Sequence, residues 1–166
     1  MAADRRTLRD GLVVGLIAYG AVAVFYSTFD LLAAREAFYT VDHLGKAVFR
    51  GLRDPAVLLF PGRPDFTAIF LYNGLHLLLS LAIGVTVVRI VAHAERVPSQ
   101  AGLATGAIVA GFVVTILAVG WFTAPMRPVL PWWSIVVANA LASALAGWYL
   151  LGTRPGLWSR MVPLAA

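Results

Sequence analysis

Cysteine is missing altogether, which removes disulfides, thiolate metal sites and a cysteine nucleophile. Charge is scarce: 13% of the 166 residues are Asp, Glu, Lys or Arg, where a soluble domain carries about 25%. The runs 11–29, 66–88, 97–126 and 128–153 contain none of the four. Proton-driven transport through a carboxylate at depth is therefore left without its usual group. Catalytic signatures are missing as well, with no H-E-x-x-H, G-x-S-x-G or G-x4-G-K-[ST]. Ser80 and His76 would share a helix face, but no acid orients the imidazole and no oxyanion site is evident. The expectation is a protein that is not an enzyme.

What the chain has in abundance is apolar length. Hydrophobic residues make up 60% and the mean hydropathy is +0.83. At about 1.5 Å per residue, each charge-free run is long enough to cross a hydrocarbon core of about 30 Å. The class expected is all-α: a polytopic membrane protein of four transmembrane helices forming a single domain over 1–166. Loops at 93–100 and 123–130 are too short to hold anything else. An Arg5-Arg6 start before an apolar run also fits a signal peptide, but no A-x-A pattern follows the first span, so retention as a helix is expected.

The net charge of +5 and pI near 10.2 do not point to nucleic acid, because the basic residues are scattered at span ends without aromatic interleaving. They speak to orientation instead. Arg5, Arg6, Arg9, Arg89, Arg96, Arg154 and Arg160 fall on the side of the two termini, and the opposite side balances its Arg and Lys with Asp30, Glu36, Asp42, Asp54 and Asp65. Both termini are accordingly expected in the cytoplasm, with the chain in a bacterial inner membrane.

An internal repeat organises the four spans. Gly11, Leu12, Gly15 and Gly20 in span 1 recur as Gly102, Leu103, Gly106 and Gly111 in span 3, one G-L-x2-G-x4-G spacing. A P-x-R-P turn follows each, Pro61 to Pro64 and Pro125 to Pro128. A polar stripe comes next, His76, Ser80, Gly84 in span 2 and Asn139, Ser143, Gly147 in span 4. Two tandem two-helix repeats are expected, 11–92 with an insert at about 30–60 and 101–153, related by a pseudo-two-fold axis along the membrane normal. Gly11, Gly15, Gly84, Gly102, Gly106 and Gly147 are the candidate packing positions, since small residues let helix backbones approach in lipid.

The insert carries Ala37, Val41, Leu44, Val48 and Leu52 at helical spacing, with Asp42, Lys46, Arg50 and Arg53 on the other face. That pattern predicts an amphipathic helix on the outer membrane surface, ended by Pro55, with Val57 to Phe60 leading into the Pro61 turn. It is expected to cover the bundle, or to serve as a lid or a docking surface. Aromatic residues collect where spans end, at Phe25, Tyr26, Trp121, Phe122, Trp132, Trp133, Trp148, Tyr149 and Trp158, as headgroup-level anchors do.

His76 is the one ionisable side chain well inside a charge-free run, with Asn73 before it and Ser80 one turn after. An intramembrane imidazole can hydrogen-bond across the bundle, relay a proton or ligate haem iron. The polar interior expected is Asn73, His76, Ser80, Asn139 and Ser143, with His76 clasped to Asn139 or Ser143 on the repeat-related helix. No cofactor is then required; the alternative is haem through His76. A metal site within one chain is not expected, because His93 lies 17 residues beyond His76, about 25 Å along a helix, and His43 is in the outer insert.

The pattern His76-Leu77-Leu78-Leu79-Ser80-x3-Gly84, with the glycine-rich first span and the Ala124-Pro125 segment, resembles a loose group of uncharacterised bacterial four-helix integral membrane proteins. The resemblance implies the four-helix fold and brings no activity. It would place a second histidine in span 4, where this chain has Asn139. The function expected is that of a non-catalytic membrane subunit or accessory factor, partnered by the lipid bilayer and by other membrane subunits or a second copy of itself. The alternative is a small ligand-binding or transport protein with its site at His76.

Overall fold

The structure, a computed structural model, describes residues 2–54 and 62–154. Pro55, the Val57 to Phe60 run, Pro61, Trp158 and Arg160 lie outside the described residues. Among the described residues the chain forms five α-helices: α1 (Ala2–Leu32), α2 (Tyr39–Phe49), α3 (Phe66–Arg96), α4 (Ala101–Phe122) and α5 (Trp132–Thr153). One-turn 3₁₀ helices, Pro98–Gln100 and Ala124–Met126, precede α4 and follow it. All but α2 are long and apolar enough to cross a membrane.

Helices α1 and α3 are longer than their charge-free runs, 31 residues each, about 46 Å. They continue through Asp10, Asp30, Arg89 and Glu95, so carboxylates do stand on membrane-length helices. Asp10 and Asp30 are among the most buried side chains, at 2% and 1% exposure. Each is tolerated because it is paired or fully hydrogen-bonded, as buried charge must be. The start of α1, the end of α5 and the α3–α4 turn lie together at one end of the bundle, termed the terminal end, held by Arg6 to the Thr153 carbonyl and by Arg154 to Asp10 and Glu95. Helix α2 and the α4–α5 turn lie at the other.

Helix α1 is the centre of the bundle, packed along α3 on one side and α5 on the other. A Cβ built on Gly84 would stand 2.5 Å from the Gly11 carbonyl oxygen and 2.5 Å from the Gly15 nitrogen. On Gly15 it would lie 2.6 Å from Cα of Leu81, and on Gly11 2.6 Å from Cα of Val85. These three glycines form a seam of backbone against backbone, the geometry by which helices adhere in lipid. Beside it, towards the terminal end, Val14, Val88, Val91 and Leu150 make an apolar cluster. A second cluster at the α2 end joins Leu44 and Ala47 to Met126, Val129, Leu130 and Ile135, flanked by Tyr26, Tyr39 and Tyr72.

The second copy of the glycine motif behaves differently. A Cβ on Gly102, Gly106, Gly111 or Gly147 would meet nothing within 4 Å, so the packing expected at Gly102, Gly106 and Gly147 is not made within this chain. The buried residues of α4 are Ala101, Ala104, Ile116 and Gly120, near its two ends. At the far end Gly120 receives the Trp132 ring, which lies beneath the Arg127 guanidinium at 4.6 Å, while Arg127 also donates to the Gly120 carbonyl at 2.6 Å. The middle of α4 is uncovered.

Helix α2 also departs from its expected two-faced form. Leu44 and Ala47 enter the core, but Asp42, His43 and Gly45 are buried too, and Leu52 is exposed. The charged face rests on the start of α3. Asp42 accepts from the Asp65 amide at 2.8 Å and from Lys46, and Lys46 donates to the Arg63 carbonyl at 3.1 Å. A Cβ on Gly45 would fall 2.5 Å from the Ala68 carbonyl oxygen.

Caps come from across the fold as well as from neighbours. Phe38 offers α2 no side-chain cap. Asp30 of α1 does so instead, accepting from the Thr40 amide at 2.7 Å and the Thr40 hydroxyl at 2.6 Å. Asp65 caps α3 by accepting from the Ala68 amide at 3.0 Å and is bound by Arg50 Nε at 2.9 Å. The Arg50 hydrogen bond, and then the helix amide, hold the Asp65 carboxyl below the usual carboxylate range. Its contribution is complete above that range and is lost only as the pH falls through its lowered value.

Candidate functional site

His76 stands in the middle of α3, facing α1. Its ring lies 5.3 Å from that of Tyr19 and 6.2 Å from that of Tyr72, one turn earlier on its own helix. No hydrogen bond to its nitrogens is formed among the described residues. Tyr19 instead donates to Asn73 Oδ1 at 3.0 Å, and Asn73 donates to the Ile69 carbonyl at 2.9 Å. The group around His76 is therefore Tyr19, Tyr72 and Asn73.

The clasp expected with span 4 is not formed. Asn139 turns its amide onto its own helix, donating to the Ile135 carbonyl at 2.8 Å, and Ser143 is exposed. Ser80 is buried, with its carbonyl oxygen 2.7 Å from where a Gly15 Cβ would stand. The cause is the position of α1: it occupies the side of α3 that the repeat symmetry would have given to α5.

Two polar groupings escaped the sequence reading. At the terminal end Arg154 donates to Asp10 at 3.0 Å and to Glu95 at 2.5 Å, joining α5, α1 and α3, with Arg6 at 3.9 Å from Asp10. At the α2 end, the Tyr26 and Ser134 hydroxyls are 3.5 Å apart and Asp30 lies one turn beyond Tyr26. A signal for Tyr19 existed, since Gly11, Gly15 and Tyr19 recur every four residues and so share a face. The ion cluster left no such pattern, because its Arg154–Asp10 bond joins residues 144 apart.

At the α2 end a cavity of about 310 Å³ opens at the surface, lined by Arg35, Tyr39, Asp42, His43 and Phe66 among others. His43 Nδ1 lies 2.7 Å from the Tyr39 carbonyl; a carbonyl only accepts, so this nitrogen carries the proton. No cluster of three or more metal-ligating side chains occurs among the described residues. Haem on His76 would have to displace Tyr19 or Tyr72, whose rings flank the imidazole. Comparisons of the chain with protein-family models, with curated proteins and with solved structures find no match.

Proposed function

We propose that the chain is a non-catalytic subunit of a membrane assembly, in a bacterial inner membrane with both termini cytoplasmic, and that its assembling surface is the second copy of its own glycine motif. One observation carries this reading. Gly11 and Gly15 close on Gly84 inside the chain, whereas the repeat-equivalent Gly102, Gly106 and Gly147 face open space on helices with few buried residues. In lipid there is no hydrophobic drive to cover such a face; close backbone packing is what remains. A second copy supplies the complementary partner, its Gly147 seated on Gly102 and Gly106 as Gly84 sits on Gly11 and Gly15. On this reading the repeat is a duplication whose first half packs within the chain and whose second half packs between chains. Helix α2 then lies at the outer interface.

The absence of native cysteine makes the test direct. Gly106→Cys and Gly147→Cys variants mixed in one membrane should form a disulfide-linked pair that neither forms alone, and Gly102→Leu should abolish it. If no pair forms and the protein stays monomeric while binding another membrane subunit through α4, the occupant is a different protein. Orientation is tested separately. A cysteine at Glu36, but not one at Ser99, should react with an impermeant thiol reagent in whole cells; the opposite pattern inverts the topology.

A further inference from the structure

Two membrane-length helices terminate beside the cavity at the α2 end. Helix α1 finishes at Leu32 and α3 starts at Phe66, and the cavity of about 310 Å³ is lined by Arg35, Glu36 and Phe38, just past the first, and by Phe66 itself. It therefore lies at the level of the lipid headgroups, where spans enter and leave the hydrocarbon. Its lining is amphiphilic. Phe38 and Phe66 are 55% and 73% exposed and form an apolar rim, whereas His43 is buried and its ring, 4.1 Å from that of Tyr39, makes an aromatic floor.

The charges in the cavity are one fixed cation and one anion beside it. Arg35 Nη1 donates to the Val129 carbonyl at 3.1 Å, and the guanidinium stands 4.7 Å from the Tyr39 ring and 6.0 Å from that of Phe29. The group is thus oriented by its surroundings, yet Nε and Nη2 make no hydrogen bond among the described residues. Glu36 is exposed, and its carboxylate has no partner among the described residues. Asp42 also lines the cavity but is committed elsewhere, accepting from Lys46 and from the Asp65 amide.

We propose that this cavity is a headgroup site for a zwitterionic glycerophospholipid of the phosphatidylethanolamine class. The phosphodiester binds Arg35, whose planar fork matches phosphate oxygens. The primary ammonium donates to Glu36, and the acyl chains leave past Phe38 and Phe66 into the bilayer. The volume lies at the lower end of the range for small-molecule sites, room for a headgroup and not for its chains. An anionic headgroup that carries hydroxyls in place of the ammonium would set its net negative charge against Glu36. Water-soluble phosphoethanolamine esters bear the same two charges; the exposed rings at the rim favour the lipid. The inference holds whichever side of the membrane carries α2, and whether or not copies associate.

The full chain in detergent micelles is mixed with equal amounts of dioleoyl phosphatidylethanolamine and dioleoyl phosphatidylglycerol, and the retained lipid is counted by native mass spectrometry. Phosphatidylethanolamine should be preferred about threefold, the scale of one exposed ion pair. Arg35→Gln, whose amide can still donate to the Val129 carbonyl, should weaken retention of both lipids about tenfold, as loss of a charge-assisted hydrogen bond does. Glu36→Lys should reverse the preference towards phosphatidylglycerol, a gain that misfolding cannot produce. Arg63→Gln, at the same end but outside the cavity lining, should change neither retention nor preference. Glycerophosphoethanolamine, which lacks the chains, should not compete at tenfold excess. Equal retention of the two lipids, no reversal by Glu36→Lys, or the same loss in Arg63→Gln as in Arg35→Gln would each overturn the proposal. Full competition by glycerophosphoethanolamine would overturn it too, making the cavity a site for a soluble phosphodiester.

Discussion

Arg154→Met should destabilise the bundle by about 3 kcal/mol, the cost of leaving a buried carboxylate without its partner. Arg154 and Asp10 have side chains only 7% and 3% exposed, and the guanidinium is the direct link among three helices. Its Nε has no partner among the described residues, so the stability resides in the two terminal nitrogens, one on Asp10 and one on Glu95. Methionine keeps much of the side-chain length and removes the charge. Arg154→Lys should fail to rescue fully, because a single ammonium cannot present the same planar fork to two carboxylates. The double variant Asp10→Asn with Arg154→Met should recover most of the loss, since the buried charge is then gone and Glu95, its side chain 30% exposed, still meets solvent. Reversible unfolding in mixed micelles measures all three. A loss under about 1 kcal/mol for Arg154→Met would place this cluster with exposed ion pairs.

Gly84→Leu should cost at least about 3 kcal/mol, the upper part of the range for overpacking. The atoms in the way are the Gly11 carbonyl oxygen and the Gly15 nitrogen and Cα, which are backbone and cannot rotate aside. Helices α1 and α3 must separate, and the contacts on either side of the seam go with them. Gly147→Leu is the paired control. It meets open space, so the monomer should keep its stability while association through α4 is lost. Equal destabilisation by both substitutions would show that the second motif is also packed within the chain.

The four membrane-length helices could be read from the sequence because uniform apolarity over a span is a local property. Gly11, Gly15 and Gly84 were legible for the same reason, since spacing by four places residues on one face whatever the partner. The partner itself was not legible. A repeat in sequence implies symmetry, and symmetry would have set His76 against Asn139. Yet the order of packing depends on which helix occupies the centre, and α1 does. Asp10, Glu95 and Arg154 looked like ordinary flanking charges that set orientation; only tertiary structure brings residues at positions 10, 95 and 154 together. In α2 the polar face pointed to water by pattern, but Asp42 and Lys46 found α3 instead.

The bond between Arg154 and Asp10 spans 144 residues, and so has a consequence for biosynthesis. Helix α1 leaves the ribosome carrying an acid whose partner is made 144 residues later. At about 5–20 residues per second, α1 waits roughly seven to thirty seconds for that partner. Throughout this interval the nascent chain exposes a carboxylate near the lipid boundary, a mark by which an insertase could retain it or a membrane protease could recognise it. A chain that stops short of Arg154 never loses the mark. Synthesis as far as Arg154 is thereby coupled to concealment of Asp10.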